Sequence, residues 1–191
     1  MTATIIWHAS PGLRRLTERD EQIRPGSVTA RNQFGQEMTF KYYWEDFQVG
    51  DSQIIGRRVI DQSEMIEFAR EFDPQPFHVD EVAAKTSFFG GIIASGWHTC
   101  SVVMRMMCDS YLNESASFGS PGLDNIRWLK PVRPGDEITA RRIVVESRAS
   151  ASRPAMGLVK TRWEIHNQNG ELVLTMEGYG MFQRRSAASG A

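Results

Sequence analysis

The segment from Trp97 to Tyr111 constrains this chain most, because it reads as a helix that is apolar on nearly all sides. Trp97, Cys100, Met104, Met107 and Tyr111 recur at the three- and four-residue spacing of one helical face, with Val102, Val103 and Met106 beside them. Only Arg105 and Asp109 carry charge. Such a helix persists in water only when other elements surround it, so the remaining chain has to supply a wrapping layer.

The segments that follow suit that task. Beyond the helix the period changes to two: LDNIRWLK (123–130), a PVRPGD turn, then DEITARRIVVES (136–147). In 159–166, Val159, Trp163 and Ile165 fall on one face and Lys160, Arg162 and Glu164 on the other. Asn169-Gly170 signals a hairpin into ELVLTMEGYGMFQ, where Leu172, Leu174, Met176 and Phe182 are in phase. Upstream, the aromatic lead-in YYWEDF and the Gly50-Asp51 turn precede a strand over 52–60. Asp61 and Glu64 form a capping-box pattern for a helix whose inner face holds Met65, Phe68, Ala69 and Phe72. Pro74 ends that helix at Asp73, and residues 80–86 read as a short helical turn. The predicted class is α+β: an antiparallel sheet of about five strands around one long buried helix, its other face left for a second subunit.

Length and composition bound the organisation. At 191 residues with 41% hydrophobic content, the chain suits one domain over 38–185. Residues 1–37 show no sustained period and read as a poorly ordered extension, with 186–191 a disordered tail. The arginines of the extension suggest a transit peptide, but Glu18, Asp20 and Glu21 argue against one, and Met38 is an alternative start. A net charge of −1 gives no global attraction to nucleic acid or to an anionic membrane. Cys100 and Cys108, about 12 Å apart on a helix, read as core thiols rather than a disulfide. With no apolar run of membrane-spanning length, the expected location is the cytoplasm.

The chemistry concentrates just before the long helix. On a straight helix Asp73 and His78 would point about 140° apart. Pro74 and Pro76 make DPQPFH a stiff turn instead, able to aim carboxylate and imidazole at one point. A water held between such a pair can lose one proton and supply another. At a helix C-terminus the Asp73 carboxylate is also expected to be somewhat more basic than usual. The plainer alternative is a helix-stop turn with two surface side chains. In ASGW, Ser95 is an N-cap candidate, and the missing side chain at Gly96 lets a ligand oxygen approach the first free amides, an oxyanion site. A glycine placed there for packing is the alternative. Ser95 and Trp97 flank that glycine, and Arg127, Lys130 and Arg133 are candidates for holding substrate phosphates. His98 reads as a packed or solvated histidine, and no metal site is expected, since His78 and Asp80 lack further ligands at a metal spacing.

In DPQPFHVD and FGGIIASGW the chain resembles the MaoC-like hydratase/dehydratase family, which includes (R)-specific enoyl-CoA hydratases; the likeness spans roughly residues 42–183. The family pattern falls on Asp73, Pro76, His78 and Gly96. The resemblance implies a hotdog fold working as a homodimer on a thioester carried by coenzyme A, with no other cofactor. It further implies that a water between Asp73 and His78 adds to the β-carbon of a trans-2-enoyl thioester while the Gly96 amide polarises the carbonyl. Some members have histidine where Ser95 stands, asparagine at Gln75 and serine at Met104, which bears on acyl preference more than on reaction. Two rivals remain open: a hotdog thioesterase, for which the only helix carboxylate, Asp109, lies about 20 Å beyond Gly96, and a non-catalytic acyl-CoA-binding subunit.

Overall fold

The computed structural model describes residues 29–31 and 37–185, with side chains from Thr39 onward. In the segment read as an extension, β1 (Thr29–Arg31) pairs antiparallel with β2 (Glu37–Thr39), which crosses from that segment into the one read as the domain. The rest of that reading, and the tail reading, lie outside the described residues.

A five-stranded antiparallel sheet holds the main core, built from β3 (Ser52–Val59), β4 (Ser117–Trp128), β5 (Glu137–Ala149), β6 (Met156–His166) and β7 (Leu172–Gln183). Its order is β3-β5-β6-β7-β4, so the strands on either side of the helical segment become the two edges. The alternation read over 159–166 appears as buried Val159, Trp163 and Ile165, while Lys160 and Arg162 turn outward into ion pairs with Asp124 and Glu177. Gly170, at φ +74°, supplies the left-handed residue of the β6–β7 turn.

Four α-helices and a 3-10 turn at Leu112–Glu114 lie between β3 and β4. Helix α1 (Gln62–Phe72) starts where the Asp61 carboxylate accepts the Glu64 N–H, but Glu64 does not complete the capping box. Its carboxylate instead takes a bidentate pair from Arg58 on β3, at 2.6 and 2.8 Å. Met65 and Ala69 are fully buried, whereas Phe72, expected inside, is 64% exposed. Helix α2 (Pro76–Val79) corrects the expectation of a helix-free turn: Pro76 sits at a first helical position, where its missing N–H costs nothing. Asp80 then caps α3 (Glu81–Thr86) through the amides of Val82 and Ala83.

The long helix is α4 (Gly96–Ser110), and it packs against the sheet as its composition requires. The face turned to the core differs from the expected one. His98, Thr99, Val102, Val103, Met106 and Met107 are buried, while Trp97 and Met104 are about half exposed. When apolar residues surround a helix, periodicity no longer singles out the inward stripe, and packing decides. Gly56 on β3 crosses α4 so closely that a Cβ there would lie 2.8 Å from Met106 Cγ. The two cysteines are free and half-buried, Cys100 with its thiol pushed up by burial.

Strand β4 begins six residues earlier than the periodicity indicated. Gly119 and Gly122 adopt positive φ, and the register against β7 slips around them, which breaks the alternation that marks a strand. The outer face of the sheet, expected to receive a second subunit, is charged and self-paired through Asp124, Lys160, Glu177, Arg162, Glu146 and Arg148. Exposed apolar side chains gather instead along the β4 edge, at Phe118, Leu123, Trp128 and Leu129.

Candidate active site

Three stretches of backbone meet at one end of the sheet. Asp73 closes α1, His78 rides on α2, and Ile92–Ser95 is a buried strap leading into α4. The strap is pinned from both sides, because the Ile93 amide donates to the Phe77 carbonyl and the Ala94 amide to the Val132 carbonyl. It therefore fixes the start of α4 against the turn that carries the acid and the imidazole.

The two side chains converge: His78 Nε2 lies 3.3 Å from Asp73 Oδ2, with side-chain exposures of 6% and 19%. His78 Nδ1 is 2.9 Å from the Ile93 carbonyl oxygen. A carbonyl can only accept, so Nδ1 carries a hydrogen and Nε2 is the nitrogen left to gain or lose one. Asp73 receives two further donors, Ser95 Oγ on Oδ2 at 2.7 Å and Gln75 Nε2 on Oδ1 at 2.8 Å. Burial pushes the carboxyl up, but the bonds from Ser95 and Gln75, helped by the neighbouring His78, outweigh it and hold Asp73 below its usual value. That reverses the expectation of a more basic group at a helix C-terminus, since direct donors act more strongly than the helix dipole.

Ser95 is fully buried and links acid to helix: its hydroxyl donates to Asp73 and accepts the Trp97 N–H at 3.2 Å. The start of α4 is thus one hydroxyl away from the acid/imidazole pair. Gly96 heads α4, and like every first-turn amide its N–H has no acceptor inside its own helix. The side-chain direction at Gly96 is not open, however, because a Cβ there would lie 2.4 Å from Cε2 of Trp128. Close packing by that indole is a sufficient reason for glycine, while the amide remains at the tip.

Trp97 stands beside this corner, edge-on to Trp128 with ring centroids 5.5 Å apart. The three basic candidates do not assemble. Lys130 is paired with Glu171, Arg133 donates to the Phe89 carbonyl at 2.6 Å, and Arg127 is exposed on β4 opposite Thr175. His98 is 2% exposed, with neither ring nitrogen hydrogen-bonded, edge-on to Phe68. Sequence reasoning missed the Ile93 carbonyl, the Gln75 amide and the Trp128 cover; only Gln75, set between two prolines, left a visible trace. Among the described residues, no three His, Cys, Asp or Glu side chains come together as metal ligands would, and no helix is long and apolar enough to cross a membrane.

Residues 47–163, more than half the chain, match the family described as "MaoC like domain". The chain belongs to the MaoC-like family. Among solved structures, a MaoC-like dehydratase from Rhodospirillum rubrum is 39% identical, with a TM-score of 0.69 over 75% of this chain and 98% of that one. The hotdog architecture of MaoC-like proteins is therefore the fold seen here. Protein MaoC of Klebsiella aerogenes is 30% identical over 131 residues, 66% of this chain but 38% of that protein. A mesaconyl-CoA hydratase of Cereibacter sphaeroides is 33% identical over 126 residues, 65% of this chain and 31% of that protein. This MaoC-like chain thus spans about a third of the length of both of those curated relatives.

Proposed function

We propose that the protein is a hydratase/dehydratase acting on acyl-CoA thioesters, interconverting trans-2-enoyl-CoA and (R)-3-hydroxyacyl-CoA. The observation that carries the reading is the 3.3 Å approach of His78 to Asp73 beside the start of α4. A water bound between the two gives up a proton as its oxygen bonds to the β-carbon. The displaced electron pair moves onto the thioester oxygen as an enolate, and the α-carbon takes a proton back from the pair. A donor aimed at that oxygen stabilises charge that exists only on the way to product, and the Gly96 N–H at the tip of α4 is suited to it. Ser95 acts on Asp73 rather than on substrate, given its burial and its two hydrogen bonds. Trp97, half exposed beside Gly96, is the aromatic wall for the acyl or pantetheine portion. Hydration transfers no electrons off the substrate, so the scheme calls for no cofactor beyond the coenzyme A already attached.

Crotonyl-CoA offered to the purified protein is expected to lose its enoyl absorbance without release of free thiol, and chiral analysis should return the (R)-3-hydroxy product. Thiol release without hydration would mean a thioesterase. No reaction at all, with crotonyl-CoA still bound, would mean an acyl-CoA-binding subunit. Hydrolysis is already disfavoured by Asp109, the one carboxylate of α4, which is engaged by Arg105 at 2.7 Å near the far end of the helix.

The working unit in this reading is a homodimer joined along the β4 edge. An edge strand with exposed apolar side chains favours pairing with another strand, while the charged outer face does not. Leu123→Lys places a charge on that edge and should weaken dimerisation by about 10²-fold. Sedimentation velocity across a dilution series reads the change; an unaltered dimer would place the interface elsewhere.

A further inference from the structure

Gln75 makes an unusual set of bonds for an exposed residue. Its backbone N–H donates to the Asp73 carbonyl and its own carbonyl accepts the His78 N–H, both at 2.8 Å. Its side-chain amide donates to Asp73 Oδ1, also at 2.8 Å. Although Gln75 is the N-cap residue of α2, its side chain makes no cap bond. All three bonds therefore run to Asp73 or His78, two of them between backbones and one to the carboxylate itself.

The terminal torsion of an aspartate is broad, so a carboxylate held through one oxygen can pivot about that attachment. Ser95 holds Oδ2 from the α4 side, and Gln75 holds Oδ1 from the turn. Two donors on two oxygens fix the carboxylate plane, and with it the direction in which Oδ2 faces His78 Nε2.

We infer that Gln75 is a positioning residue: its side-chain amide anchors the second oxygen of Asp73, so that the carboxylate presents one fixed edge to His78 and to a water between them. The inference rests on the hydratase reading for its kinetic consequence and stands on geometry for the rest. Among the described residues the titratable group facing Asp73 is His78 on α2, and the Ser95 and Gln75 donors are neutral.

Gln75→Leu removes the amide at an exposed site while leaving both backbone bonds possible. The expected result is a kcat for crotonyl-CoA hydration lower by about tenfold, the scale of one hydrogen bond to a charged group, with KM little changed. The acid limb of the kcat profile should move to higher pH, because a carboxylate that loses a donor is protonated more easily. Gln75→Glu should move the limb the same way through repulsion. Provided Asp73→Asn abolishes turnover, a wild-type kcat and limb in Gln75→Leu would overturn the inference, and so would a lower kcat with an unmoved limb and a reduced Tm, which is the mark of a merely structural residue. If Asp73→Asn is inactive while Gln75→Leu matches wild type, the positioning role fails and the hydratase reading stands. If no variant affects turnover, the hydratase reading fails, and carboxyl-carbon NMR titration of substrate-free protein decides the inference by itself. An upward displacement of the Asp73 titration in Gln75→Leu supports it, and an unmoved titration overturns it.

Discussion

Replacing Asp73 by Asn, or His78 by Ala, is expected to lower crotonyl-CoA hydration by at least about 10²-fold each, the scale of a lost general acid or base. The two losses should not multiply. Oδ2 and Nε2 are 3.3 Å apart, and in the proposed reaction acid and imidazole handle one water together, so that once either is gone the other has nothing to complete. The double variant should therefore resemble the worse single one in steady-state kinetics, and a multiplied loss would show that they act at separate steps. Asp73 also bears on folding. Its pKa in the folded protein is depressed, so the stability it contributes is present above its unfolded value of about 3.9 and disappears as pH falls through the lower folded value. Thermal unfolding of wild type and Asp73→Asn should differ most above about pH 4 and converge in stronger acid.

Met65→Ala is expected to produce the largest loss of stability, about 2–5 kcal/mol, because the side chain is fully buried and its removal leaves a cavity. In a chain of this length, that corresponds to a Tm lower by about 4–20 °C, at about 2–4 °C per kcal/mol. The consequence reaches the site. Met65 is a principal anchor between α1 and the core, and the residue closing α1 is Asp73. A loosened α1 should reduce kcat before the protein unfolds, so activity plotted against temperature should fall earlier than near-ultraviolet circular dichroism. If the two curves coincide, Asp73 is held by Ser95 and the strap without help from α1.

Much of this architecture was visible in the residues. The central helix, the strand after Gly50-Asp51, the Asp61 cap, the stop before Pro74 and the Asn169-Gly170 hairpin each rest on one local cause, and a local cause can be read from one stretch of chain. The meeting of Asp73 with His78 was legible for the same reason, since two prolines constrain a six-residue segment. What escaped was set from a distance. Which side of α4 turns inward depends on strands far away in the chain, and the reason for glycine at 96 is an indole from residue 128. Arg127, Lys130 and Arg133 looked like a cluster because they are near one another in sequence, yet a strand end and its turn carried them to different partners. The start of β4 was hidden by the two positive-φ glycines that let an edge strand bend.

The clasp between the imidazole and the Ile93 carbonyl has a stereochemical corollary. A ring tethered through one nitrogen cannot turn over between events, so a hydrogen that arrives at the opposite nitrogen must depart from that same atom. Under the proposed reaction, forward and reverse traffic share a single doorway, and hydroxyl and hydrogen are delivered to one side of the flat double bond. Run in deuterated water, the reaction would write that handedness into the product as a single labelled diastereomer.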